Sequence, residues 1–120
     1  MIPSEHIEQR ELVNWTKKKS LNDPRYDLLF AIPNGGQRHI AVASKLKLEG
    51  VKPGVPDLFL AYPVFPKHGL FIEMKRKKGG RLTLNQENWF KKLKDQGYAC
   101  EQANGYEEAK IIIKAYLAGK

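Results

Sequence analysis

Two short apolar runs with charged residues set into them narrow the folds open to this chain more than anything else in it. Asp57-Leu58-Phe59-Leu60-Ala61 and Gly69-Leu70-Phe71-Ile72-Glu73-Met74-Lys75 are each of strand length, and Pro63 and Pro66 mark a loop between them. Runs of this kind, bounded by turn residues, read as the two strands of a hairpin. Successive side chains on a strand leave opposite faces, so Glu73 and Lys75 leave the same one. Polar groups on otherwise apolar strands are costly to bury unless something pairs with them.

The flanking segments supply helices and further strands. Ser4 can cap a first helix, with Glu5 in its first turn. Glu5, Gln9 and Val13 follow at i, i+4 and i+8, with Glu8 and Leu12 beside them. Lys17, Lys18 and Lys19 suit its C-terminal end, and Asn22-Asp23-Pro24 breaks it. Leu28 to Ile32 reads as a buried strand, stopped by Pro33-Asn34-Gly35-Gly36. Residues 38 to 48 read as a helix with Ile40, Ala43 and Lys47 on one face, ended by Gly50. Lys52-Pro53-Gly54-Val55-Pro56 makes a stiff approach to the hairpin. Beyond the hairpin, Lys77-Lys78-Gly79-Gly80 is a basic loop, and Thr83-x-x-Gln86 has the spacing of a capping box. The helix it opens runs through Trp89, Phe90 and Leu93 to Gly97. Tyr98 to Gln102 reads as a strand, and Asn104-x-x-Glu107 opens a last helix carrying Ile111, Ile112, Ala115 and Tyr116. The economical architecture is one α/β domain over residues 1–120, a mixed sheet of about four strands flanked by helices. A right-handed crossover would set the Glu73 strand parallel to the strand after it.

Charge bears on the partner. Lys and Arg number 21 against 13 Asp and Glu, a net charge of +8. An excess of that size favours a polyanion, nucleic acid first and an anionic membrane surface second. No run of 18 apolar residues is present, so no membrane span is expected. The polar, acidic start Met1-Ile2-Pro3-Ser4-Glu5-His6 is unlike a secretory signal, and a lone Cys100 fits a reducing, cytoplasmic compartment.

Asp57 and Glu73 offer the hard oxygen ligands that Mg²⁺ or Mn²⁺ prefers. Lys75 offers a compact positive charge that could orient a water or stabilise charge growing on a phosphate. The plainer alternative is a Glu73–Lys75 salt bridge on an exposed sheet face, with Asp57 capping a turn after Pro56. A bare D…ExK spacing is loose, and the flanking residues decide between the two.

Those flanks resemble a known family. Gly54-Val55-Pro56-Asp57-Leu58-Phe59-Leu60 and Gly69-Leu70-Phe71-Ile72-Glu73-Met74-Lys75 are similar to the PD-(D/E)xK nuclease superfamily. More closely they resemble its virus-type replication-repair nuclease family, VRR-NUC. The likeness continues through Ile32-Pro33-Asn34-Gly35-Gly36-x-Arg38, through Leu82-x-x-Asn85-Gln86-x-x-Trp89 with Gly97-Tyr98, and through Glu5-x-x-x-Gln9 with Val13 and Trp15. It implies a restriction-endonuclease-like fold with Asp57 and Glu73 as the metal-binding acids and Lys75 as the catalytic lysine. Glu5 matches a first-helix glutamate near the metal, with Glu8 the other possibility. Gln9 and Gln86 match glutamines near the site, and the Met74 carbonyl can reach a metal in such folds. Stand-alone members of this kind occur in phages and bacteria, so a bacterial or phage-infected cell is the expected setting.

Several residues carry simpler explanations. Gln86 completes its own capping box, and Glu5 favours a helix N-terminus through the dipole. Asn34-Gly35-Gly36 is turn chemistry or a loop approaching DNA, with Arg38 on a phosphate. Arg76, Lys77, Lys78 and Arg81 extend the basic stretch beside Lys75, where a DNA backbone would lie; a solvated loop would also explain Lys77 and Lys78. His6, His39 and His68 lack zinc spacing, and Trp15, Trp89 and Cys100 read as core. No G-x-x-x-x-G-K-[ST] loop is present, so no nucleotide cofactor is expected.

The activity the resemblance implies is metal-dependent hydrolysis of phosphodiesters in branched DNA, four-way (Holliday) junctions first, since compact stand-alone relatives are associated with such substrates. Symmetric cutting of such a junction favours a homodimer. The alternatives are a flap or general DNA nuclease, and a noncatalytic basic DNA-binding module.

Overall fold

The structure, a computed structural model, describes residues 2–33 and 40–120. Helix α1 spans Glu5–Lys19, and the Ser4 hydroxyl accepts from the Ile7 N–H at 3.2 Å. Acidic residues in its first turn and lysines in its last complement the helix dipole. Asp23 then accepts from the Arg25 N–H and opens a 3₁₀ segment, Pro24–Leu28, where the sequence suggested only a helix break. Strand β1 is Leu29–Ala31, helix α2 Ile40–Leu48, strand β2 Leu58–Leu60 and strand β3 Leu70–Lys75. Helix α3 is Leu84–Asp95, strand β4 Ala99–Asn104 and helix α4 Tyr106–Leu117.

The four strands lie in the order β1-β2-β3-β4. The first two pairings are antiparallel and the third is parallel, so α3 is the crossover. Leu58 lies opposite Ile72 and Leu60 opposite Leu70. With Met74 these form one pleat of the hairpin, buried against Leu12 of α1 and Ala109 and Ile113 of α4. The opposite pleat carries Asp57, Phe59, Phe71, Glu73 and Lys75. The strand alternation thus puts core on one side and chemistry on the other.

Some expectations are corrected. β1 is not buried: it is a sheet edge, and Phe30 and Ala31 are exposed. β4 runs on to Asn104, so Asn104 ends a strand rather than capping α4. The N-cap is Gly105, at φ +95 and with no side chain to offer. Along α4 it is Ile113 that enters the core, while Ile111 faces solvent. Trp15 is half-buried and packs edge-on against Tyr26, with centroids 5.3 Å apart. Trp89 is half-buried too, with the Lys92 ammonium 4.8 Å from its ring centroid; of the two indoles, Trp15 packs against the core cluster. Cys100 is buried on β4 as expected, and burial pushes its thiol up to about 11. No helix among the described residues is long and apolar enough to cross a membrane. Gly35, Gly36 and His39 lie outside the described residues, as do the side chains of Ile40 and Ala43.

Candidate active site

Asp57 reaches the site at the end of a constrained approach. Gly54 adopts φ +90, and a Cβ there would come within 2.8 Å of the Asn85 Cβ, so the first turn of α3 is seated directly on this segment. The buried Pro56 then leads into Asp57, whose carbonyl accepts from the Ile32 N–H at 2.7 Å. Strand pairing between β2 and β3 begins only at Leu58 and Ile72. Asp57 extends it with its side chain, Oδ2 accepting the Met74 N–H at 2.8 Å. That bond holds the carboxylate against β3 beside Glu73.

Glu73 is 2% exposed, and its Oε1 is buried with no hydrogen-bond donor on it. Its carboxyl is pushed up to about 9, by burial first, then by a hydrogen bond to Asp57 and the Asp57 charge. Lys75 pulls the other way, and Glu5 adds a smaller push in the same direction as Asp57. The Lys75 ammonium stands 3.9 Å from Glu73 Oε2, and both side chains are at least nine-tenths buried. The salt bridge anticipated from the sequence therefore exists, but not on an exposed face. Two carboxyl groups meet in a dry site with one nearby ammonium, an arrangement that calls for a proton or a cation between them.

Gln86 joins this cluster to the helix behind it. Its Oε1 accepts from the Thr83 N–H at 2.8 Å, and its own N–H donates to Thr83 Oγ1 at 3.2 Å, closing the capping box. Its Nε2 donates to Glu73 Oε2 at 3.2 Å. One amide thus caps α3 and holds the carboxylate.

The two glutamates of α1 separate in role. Glu8 is 3% exposed, and its Oε1 accepts from the Tyr106 N–H at 3.0 Å. It caps α4 from another helix, where Gly105 has no side chain to do so. Glu5 is exposed, and its charge is felt at Glu73. Among the described residues, no three His, Cys, Asp or Glu side chains close into a ready-made metal cage. Asp57 and Glu73 are a tight pair, with Glu5 at a greater remove.

The VRR-NUC domain model matches residues 2–107. The chain belongs to the VRR-NUC family. The matched region runs from α1 into the start of α4 and contains every group just described. A solved VRR-NUC domain protein superposes with a TM-score of 0.84 at 27% identity, covering 100% of this chain and 93% of its own. No curated protein matches the chain. The family is one of nucleases, and the fold expected from the sequence is the fold observed.

Within this VRR-NUC domain the structure brings together Asp57, Glu73, Lys75 and Gln86, and sets Glu5 near them. The Met74 side chain is fully buried in the core, so only its main chain is available to the site. Gln9 is half-buried on α1. Arg76, Lys77, Lys78 and Arg81 are all exposed immediately beyond Lys75. Asn34 and Arg38 lie outside the described residues. Sequence reasoning took Gln102 only as a strand end and Asn104 only as a helix opener, whereas they stand across the ladder from Glu73 and Lys75. The signal in β4 was slight: Cys100, Gln102 and Asn104 share one face, while Ala99, Glu101 and Ala103 share the other. Using it required the register of that strand.

Proposed function

We propose that this VRR-NUC chain is a metal-dependent endonuclease that hydrolyses phosphodiesters in branched DNA, acting as a homodimer on four-way junctions. The observation that carries the reading is the buried Asp57–Glu73 carboxyl pair with the Lys75 ammonium beside it. The residues fit a hard divalent cation such as Mg²⁺ or Mn²⁺. Asp57 and Glu73 offer carboxylate oxygens, Glu73 Oε1 is buried without a donor, and the Met74 carbonyl lies between Glu73 and Lys75 along the chain. When bound, the ion supplies Lewis-acid stabilisation of the phosphate and lowers the cost of deprotonating a water.

The protein's own groups do the rest. Gln86 holds Glu73 Oε2, which leaves Oε1 free to point at the cation position. Asp57 is fixed by the Met74 N–H, and its carboxylate interacts with that of Glu73. Lys75 places positive charge where a non-bridging phosphate oxygen or the attacking water would sit. Glu5 adds negative potential from the first helix. The exposed basic residues 76–78 and 81 would take the DNA backbone, consistent with the net charge of +8. A homodimer follows from the substrate: paired cuts in a two-fold junction need two such sites related by a two-fold axis.

The test is cleavage of a four-way junction, a flap and a plain duplex with Mg²⁺ or Mn²⁺. Junction cutting that disappears in Asp57→Ala while junction binding persists supports the proposal. Preferential flap cutting would replace junction resolution with flap processing. Binding without cutting of any substrate would leave a noncatalytic DNA-binding module.

A further inference from the structure

The basic loop after β3 is fastened down over the candidate catalytic lysine. In the parallel β3–β4 ladder, Glu73 lies beside Gln102 and Lys75 beside Asn104, so these four side chains leave the same face. Gln102 Nε2 donates to the Gly80 carbonyl at 3.1 Å and to Asn104 Oδ1 at 2.7 Å, which uses both amide hydrogens. Gly80 lies directly on the Lys75 stem: a Cβ there would be 2.6 Å from Lys75 Cβ and 3.2 Å from Cγ. The far end of β3 is held as well, by Gly105 N–H donating to the Lys75 carbonyl at 2.9 Å. There the Lys77 stem crosses Gly105, where a Cβ would be 2.6 Å from Lys77 Cγ. Two lysine stems thus run over two glycines, and one amide ties the returning loop to the sheet.

We propose that Gln102 is a positioning residue: through the Gly80 carbonyl it holds the loop of residues 76–81 onto the Lys75 stem. This fixes where the Lys75 ammonium stands against Glu73 and where Lys77, Lys78 and Arg81 meet DNA. A long lysine side chain loses most of its rotamers when its stem is covered, and the cover here is backbone with no side chain of its own. Without the Gln102 tie, residues 76–81 keep the Lys77 contact with Gly105 but lose the amide that seats Gly80 on the Lys75 stem. The proposal rests on the nuclease reading for its effect on catalysis, and on the structure alone for its effect on the loop.

The test has two arms. The first is amide hydrogen exchange in wild type and Gln102→Leu without DNA or metal. Exchange across residues 76–81 is expected to rise roughly tenfold while β4 and α4 keep their protection. Unchanged loop exchange would overturn the tie. The second is single-turnover junction cleavage by Gly80→Ala, a substitution that presses chiefly on the Lys75 stem and more lightly on the Arg76 carbonyl at 3.3 Å, with no left-handed backbone strain at Gly80. The rate at saturating DNA is expected to fall roughly tenfold to a hundredfold with a much smaller change in DNA affinity. A loss confined to affinity, or no loss, would overturn the link to Lys75. A wild type that cuts no DNA defeats the nuclease reading and leaves the exchange arm to decide the tie.

Discussion

At the scale of single residues, the most informative pair is Glu5 and Glu8. They stand one turn apart on α1, yet one caps a distant helix and the other looks toward the carboxyl pair. Glu8→Ala removes the side-chain cap on the first N–H of α4. It should cost about 1 kcal/mol in urea unfolding, as helix caps do, with cleavage little changed. Glu5→Ala should show the reverse, weaker metal-dependent cleavage at unchanged stability. Equal effects in both assays for both variants would contradict this division. Glu73 carries a pH signature of its own. Its carboxyl holds a proton more tightly in the folded chain, its value raised from 4.5 to about 9 chiefly by burial and by Asp57. The stability this contributes is complete below the unfolded value of 4.5 and is lost as pH rises through the folded value of about 9. The metal-free protein should therefore melt at progressively lower temperature across that window, and Glu73→Gln should flatten the trend. A melting temperature independent of pH in the wild type would show that the two carboxyl groups do not oppose each other in solution.

At the scale of elements, legibility follows how local the causes are. The hairpin, the α3 capping box and the Ser4 cap were all readable, because each is decided by residues within a few positions of one another. The parallel crossover was readable too, since a strand, a helix and a second strand leave one favoured hand. The start of α4 was not. Asn104 had the right chemistry for a cap, but the cap that formed is Glu8, 98 residues from the Tyr106 N–H it accepts. The choice between Glu5 and Glu8 failed to resolve for the same reason, since it depends on how α1 meets α4. Gln102 was invisible until the β4 register was known, because a one-residue slip would send it to the other face. The exposure of β1 depends on its place at the sheet edge, which no local pattern encodes. One element junction offers a direct test. Gly54 sits at φ +90 against the Asn85 backbone. Gly54→Ala should destabilise by about 1–3 kcal/mol in denaturant unfolding, since both strain and contact act there. A neutral result would mean that α3 and the Asp57 approach move apart readily.

At the scale of the whole molecule, the sheet separates two environments. One face is a closed apolar core; the other carries the acid pair, its lysine and the basic loop. Binding to DNA should weaken steeply with salt in the wild type. Replacing Lys77 and Lys78 together with Ala should reduce the log–log salt slope by about two if each contacts a phosphate. An unchanged slope would place the DNA elsewhere on the surface. Cys100, the chain's single thiol, lies beside Phe71 on the face of the acid pair, yet it is buried on β4 and held well above the ordinary cysteine range. Alkylating reagents should leave the native protein untouched and modify it only on unfolding. A cysteine introduced on the outer surface would then be the sole reactive handle, and a dye placed there could report on DNA engagement without first removing the natural thiol.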